Sequence, residues 1–259
     1  MNFSLEGKTY VIMGVANKRS LAWGIAKTLD EAGADLIFTY ANERFEKPVR
    51  QLAETLKNKN SRFYLCDVTN DESIDQAFET IGEDVGSIAG LAHCIAFADK
   101  NDLKGEFIDT SRDGYLLAHN ISAYSLVAVT RRAEKLMTDG GKIVTLTYLG
   151  GERVVQNYNV MGVAKASLDA TMKYLANDIG KKNIRINAIS AGPIRTLSAK
   201  GVGDFNSILK DIEEKAPLRK AVTQEDVGAN AYYLLSDLSN GVTGEIIHVD
   251  SGYSILGLV

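Results

Sequence analysis

The sequence predicts an α/β fold, a single doubly wound parallel sheet of about seven strands with helices on both faces, built from residues 1–259 as one domain. Three observations lead there. Short apolar runs of strand length alternate with amphipathic stretches of about a dozen residues, the pattern of βαβ units joined by right-handed crossovers. No Pro- or Ser-rich linker and no block of like charge divides the chain. Gly14, Asp67, Ala96, Tyr148 and Gly192 each follow directly on a strand-like run, the rim at which such sheets collect ligands.

Lys8 to Met13 reads as the first strand and breaks at Gly14-Val-Ala-Asn-Lys-Arg-Ser20 before an amphipathic helix, Leu21 to Ala32. Asp35 to Tyr40 is the second strand, and Phe45 to Leu56 a helix whose first turn can hold Pro48. Arg62 to Cys66 is the third strand. Asp71 then stands where it can cap a helix running to about Val85. Ile88 to Ala96 forms the fourth strand, and one long helical stretch runs from Thr110 or Ser111 to near Met137, stopped by Asp139-Gly-Gly141. Lys142 to Leu146 is the fifth strand. A central helix from Tyr158 ends near Gly180, followed by a sixth strand, Ile184 to Ile189. Helices at Phe205 to Glu214 and Glu225 to Leu235 precede the last strand, Glu245 to Val249.

Composition narrows the function classes. A net charge of -4 gives no general attraction to nucleic acid, and no apolar run approaches the length of a membrane span. The N-terminus lacks a basic patch followed by an apolar segment, so a cytoplasmic protein is expected. Cys66 and Cys94 lie in apolar runs and are expected as buried thiols, with no disulfide and no metal site.

The chemistry concentrates between Tyr148 and Lys165. If the chain is helical from Tyr158 on, seven steps of about 100° return Lys165 to within about 20° of Tyr158, roughly 10 Å further along the axis. A phenol and an ammonium then share one face. Gly14, Ser20 and Gly24 form G-x5-S-x3-G, which alone is equally a turn glycine; its position between strand and helix favours pyrophosphate, held by free backbone N–H groups and the Ser20 hydroxyl. After the second strand, Tyr40-Ala-Asn-Glu-Arg44 offers neither an acid for a ribose diol nor a plain 2′-phosphate ligand. Asp67 can accept from an adenine amino group or serve as a turn aspartate.

The intact Ala-Asn-Lys-Arg-Ser run before Leu21, Ser122 to Ser125, Tyr148-Leu-Gly-Gly, Asn157-Tyr-Asn-Val-Met-Gly-Val-Ala-Lys165, Ser190-Ala-Gly-Pro-Ile-Arg-Thr196 and the terminal Val242-Thr-Gly-Glu…His-Val-Asp-Ser-Gly252 resemble bacterial enoyl-acyl-carrier-protein reductase, a divergent short-chain dehydrogenase. The likeness spans the chain and is nearest the Bacillus and Listeria form. It implies a Rossmann-type sheet and reduction of trans-2-enoyl thioesters presented by acyl carrier protein, usually by a homotetramer. Tyr158 matches the family's catalytic tyrosine, Tyr148 its second active-site tyrosine, and Lys165 the lysine that binds the nicotinamide ribose. Gly14, Ser20, Leu21, Asp67, Val68, Ile95, Ile194 and Thr196 match dinucleotide contacts, and Ala98, Met161 and Phe205 fall where the acyl chain lies. Ala41 replaces a basic or polar residue of some relatives near the adenosine ribose, which favours NADH over NADPH. Asn206 and Ser207 replace basic residues that some relatives present to the carrier protein.

Two other readings compete. An ordinary short-chain ketone or alcohol oxidoreductase wants Lys four positions after Tyr, and no tyrosine here has it. A catalytically idle dinucleotide sensor would tolerate loss of Tyr158 or Lys165, and both are present. Residues 196–210, with Gly201 and Gly203 as hinges and Leu197, Val202, Phe205 and Ile208 as an apolar face, are expected to form a lid over the acyl chain.

Overall fold

β1 (Thr9–Met13) shows why the central strands read as unbroken apolar runs. Successive side chains point to opposite faces, so Tyr10 and Ile12 enter one core while Val11 and Met13 enter the other. A strand covered on both sides has no polar face to alternate with. The computed structural model describes residues 4–196 and 205–257. Within them β1, β2 (Asp35–Tyr40), β3 (Arg62–Leu65), β4 (Gly90–His93), β5 (Gly141–Thr147), β6 (Ile184–Ala191) and β7 (Ile246–Val249) form one sheet in the order β3-β2-β1-β4-β5-β6-β7. Every neighbouring pair is parallel.

The helices divide between the two faces as right-handed crossovers require. One core joins the sheet to α1 (Leu21–Glu31), α2 (Glu43–Ala53) and α8 (Gln224–Leu235); the other joins it to α3 (Asp71–Val85), α5 (Ser125–Leu136) and α6 (Asn159–Gly180). Two further helices are α4 (Arg112–His119) and α7 (Phe205–Lys215).

Several sequence expectations are adjusted. Asn70, not Asp71, caps α3, with its side-chain oxygen accepting from the N–H groups of Glu72 and Ser73. α2 starts two residues early, which moves Pro48 from the first turn to mid-helix; its exposed position leaves the carbonyl it cannot pair to water. β4 stops at His93, so Cys94, Ile95 and Ala96 belong to the loop beyond it. The long helix is two helices around a π-helical turn, Asn120–Tyr124, the kind of irregularity that tends to mark functional sites. Cys66 and Cys94 are free thiols, each pushed up to about 12 chiefly by burial.

Because the strands are parallel, their carboxyl ends share one rim. The order turns back on itself between β1 and β4, where the following loops part and leave a crevice. Gly14, Asp67, Ile95, Tyr148 and Ile194 all lie at that rim.

Candidate active site

The β1–α1 turn is shaped by Gly14 and Ser20. Gly14 has φ of 93°, and a Cβ there would lie 2.1 Å from the Cys94 carbonyl oxygen, so only glycine lets the turn pass this close to the end of β4. Ser20 Oγ accepts from the N–H groups of Ala16 (3.0 Å) and Asn17 (3.1 Å), which draws the turn into a loop and leaves the hydroxyl proton to donate outward. Leu21 and Ala22 open α1 with N–H groups that precede its first i to i−4 bonds. Gly24, whose spacing grouped it with this loop, instead serves helix packing. A Cβ there would lie 2.7 Å from the Gln224 carbonyl, so the glycine admits α8 against α1. Gln224 in turn donates from Nε2 to Ser20 O at 2.6 Å and braces the loop from behind.

At the adenosine end, Ala41 is exposed, and Asn42 Oδ1 accepts from Arg44 Nε at 3.3 Å. Asp67 fits both of its sequence readings. Its Oδ1 accepts from the N–H and hydroxyl of Thr69 in an Asx turn, which leaves Oδ2 to accept from a ligand. Val68 is buried beside it.

The loop after β4 is held by Ser122 of the π-helical turn, whose Oγ accepts from Phe97 N–H (3.0 Å) and donates to Phe97 O (3.1 Å). This fixes Ala98 over a small apolar cluster that includes Met161 and Ala164 of α6, with Tyr158 packed against it. His93 is fully buried below, bonded through Nδ1 to Thr145 and through Nε2 to Ser125. Burial lowers its pKa to about 3, so the ring is neutral and tethers α5 to the sheet.

Tyr158 is the N-cap of α6 rather than a residue within it, and Asn157 and Asn159 on either side have φ of 62° and 31°. Asparagine is among the few side chains that tolerate such angles, and Asn159 Nδ2 also donates to Gly105 O at 3.1 Å, tying the helix start to the β4 loop. Tyr148, extended at the end of β5, meets Tyr158 edge to face with centroids 4.9 Å apart. Gly150 makes room for both rings, since a Cβ there would lie 2.4 Å from Tyr158 Cδ1 and 3.2 Å from Tyr148 Cδ1.

Both phenols are held neutral. Burial pushes Tyr148 up to about 12, and raises Tyr158 further, with Tyr148 and Asp169 adding to the shift. Lys165, 5% exposed, donates from Nζ to Leu146 O at 2.7 Å. That contact uses one of three ammonium protons and directs the others elsewhere. Burial lowers the lysine to about 8, while Asp169 and then Cys94 act to raise it. Tyr158 at the start of α6 and Lys165 two turns along it are thus both buried, each held by partners of its own.

The model of the family described as Enoyl-(Acyl carrier protein) reductase matches residues 14–254. The chain belongs to the enoyl-acyl-carrier-protein reductase family. Among its relatives is "Enoyl-[acyl-carrier-protein] reductase [NADH] FabI" of Bacillus cereus, 70% identical, with 98% of this chain and 99% of that protein covered. The corresponding [NADPH] enzyme of Staphylococcus aureus strain MRSA252 is 63% identical, with 96% and 98% covered. A crystal structure of the Bacillus cereus enoyl-acyl carrier protein reductase with NADP+ and indole naphthyridinone superposes with a TM-score of 0.97 at 70% identity, over 98% of this chain and 99% of that one.

Not every expected site residue can be placed. Ile194 is partly buried at the β6 end, and Thr196 donates its N–H to Ile194 O at 2.7 Å. Of the expected lid, residues 197–204 lie outside the described residues, and Phe205 is described only as the first residue of α7. Sequence reasoning missed Thr147, Asp169, His93 and Gln224. Only Asp169 carried a signal, its i+4 spacing from Lys165 on one helix.

Proposed function

We propose that this protein reduces trans-2-enoyl thioesters on acyl carrier protein, the last reductive step of fatty-acid elongation, with NADH as the reductant. The observation that carries the reading is the neutral Tyr158 phenol, set edge-on to Tyr148 at the start of the helix that also carries the buried, charged Lys165. An ordinary carbonyl reductase would place the lysine one helical turn nearer.

The crevice suits a dinucleotide. The Gly14–Ser20 turn and the N-terminus of α1 would hold the pyrophosphate, Asp67 Oδ2 and Val68 the adenine, and Ile95, Ile194 and Thr196 the nicotinamide side, with Lys165 on the ribose hydroxyls. When bound, the cofactor supplies the hydride that adds to the β-carbon of the enoyl group. Negative charge then develops on the thioester oxygen, and Tyr158, a donor at neutral pH, hydrogen-bonds to it as it forms. Such a bond in a water-poor site contributes a few kcal/mol to transition-state stabilisation. Lys165 places a positive charge on the same side and favours the charged state over the neutral one. Ala98 and Met161 give the acyl chain an apolar seat.

NADH is preferred over NADPH because Ala41 offers nothing to a 2′-phosphate and Arg44 is engaged with Asn42. A homotetramer resident in the cytoplasm completes the proposal; Leu116 on α4 and Tyr174 on α6, 58% and 77% exposed, are apolar surface that subunit contacts would cover. Among the described residues no helix is long and apolar enough to cross a membrane. Loss of absorbance at 340 nm with NADH and crotonyl thioester tests the activity. No turnover, with NADH still bound, would favour the idle sensor.

A further inference from the structure

α6 sets Asp169 four residues after Lys165, on the same face of the helix. Asp169 is 7% exposed, and burial raises its pKa while the Thr147 hydroxyl, which faces it from the end of β5, and Lys165 act to lower it; neither its Oδ1 nor Thr147 Oγ1 has a hydrogen bond of good geometry among the described residues. A buried carboxyl group with an unpaired oxygen is costly, and such groups persist mainly where something depends on them. Asp169 also supports the active-site turn. Gly151 lies so close that a Cβ there would be 2.9 Å from Asp169 Oδ2, so the segment that carries Tyr148 to α6 rests on this side chain.

We propose that Asp169 is a positioning residue for the reaction: from one turn behind Lys165, its carboxylate holds the lysine as an ammonium seated on Leu146 O, the state that grips the cofactor. The inference rests on Lys165 being the ribose-binding lysine. The other groups around the pair do not replace Asp169. From β4 and its end come His93 and Cys94, a neutral ring and a thiol. Thr147 of β5 and Tyr158 at the start of α6 are uncharged. Glu152 of the turn and Lys173 of α6 are exposed, and Glu152 is occupied with His248 at 2.7 Å. Asp169 is thus the buried countercharge, and Lys165, at about 8, stands where losing it would neutralise the amine near physiological pH.

The test is NADH affinity by fluorescence titration from pH 6 to 10, on wild type, Asp169→Asn and Asp169→Glu, beside kcat and KM for NADH. Asp169→Asn should move the alkaline loss of affinity about one pH unit lower, so that binding weakens through the window between the two midpoints, about threefold midway and approaching tenfold above it, and is nearly unchanged at pH 6. KM for NADH should carry the effect in that window, with kcat at saturating NADH close to wild type. Asp169→Glu should keep the wild-type midpoint. An unmoved midpoint in Asp169→Asn, or a loss equal at every pH, would overturn the proposal. Should Asp169→Asn not fold, a lowered midpoint in folded Asp169→Glu, where the charge remains, would overturn it as well. Lys165→Ala separates the two readings. If it binds NADH as tightly as wild type, the ribose assignment fails. If it abolishes the pH dependence while Asp169→Asn moves nothing, only the role of Asp169 fails.

Discussion

Gly150→Ala adds one methyl group behind the proposed acid. The new Cβ would lie 2.4 Å from Tyr158 Cδ1, 2.8 Å from Tyr158 Cε1 and 3.2 Å from Tyr148 Cδ1. Carbon atoms rest at about 3.5–4.0 Å, so the Tyr158 ring must retreat by about 1 Å. The backbone of Gly150 is not left-handed, so alanine brings no strain beyond this contact. Overpacking of this kind costs about 1–3 kcal/mol of stability. The larger effect is catalytic, because a reacting group displaced by about 1 Å loses about 100-fold in rate, or about 2.7 kcal/mol of barrier. NADH affinity should be nearly unaffected, since Lys165 and its bond to Leu146 O are not touched. Steady-state reduction of crotonyl thioester gives kcat, fluorescence titration gives NADH affinity, and thermal unfolding gives stability. Gly180→Ala is the control: a Cβ at the end of α6 meets nothing within 4 Å, and kcat should stay within about twofold while stability rises by about 0.5–1 kcal/mol. A folded Gly150→Ala protein with kcat within about threefold of wild type would refute the claim that this glycine positions Tyr158.

Three further outcomes are expected. Tyr158→Phe should lower kcat by about 100-fold with NADH affinity kept, whereas Lys165→Ala should weaken NADH binding itself; equal loss of binding in both would remove the division of labour. kcat/KM should be higher with NADH than with NADPH, and Arg44→Ala should leave the NADH value unchanged; a higher value with NADPH would reverse the cofactor assignment. His93 is neutral in the fold, its pKa lowered to about 3 by burial from 6.5. The unfolded chain takes up that proton first as pH falls, so its contribution to stability is complete above about 6.5 and declines by about 1.4 kcal/mol per pH unit below it. Urea denaturation between pH 7 and 4 should show a shallower decline for His93→Gln than for wild type, and parallel declines would contradict the assignment.

The order of strands and helices was legible because periodicity is local. The apolar run Thr9–Met13 and the amphipathic Leu21–Glu31 each announce themselves within a dozen residues, and the right-handed crossover rule does the rest. Motif residues that follow strands were legible for the same reason, so Gly14, Asp67, Tyr148 and Ile194 reached one rim as expected. Exact ends were not, because caps depend on competition between neighbours: Asn70 outcompetes Asp71 by reaching the N–H groups of Glu72 and Ser73. Electrostatic state was decided only in three dimensions. Tyr158 and Lys165 are ordinary side chains in the sequence; burial, with Tyr148 and Asp169 adding, makes one a held donor, while burial lowers the other to about 8 against the upward pull of Asp169, with Leu146 O fixing the ammonium. Close approach is equally invisible in one dimension. Gly24, which looked like part of a phosphate loop, is glycine because α8, 200 residues later in the chain, needs the space a side chain would fill.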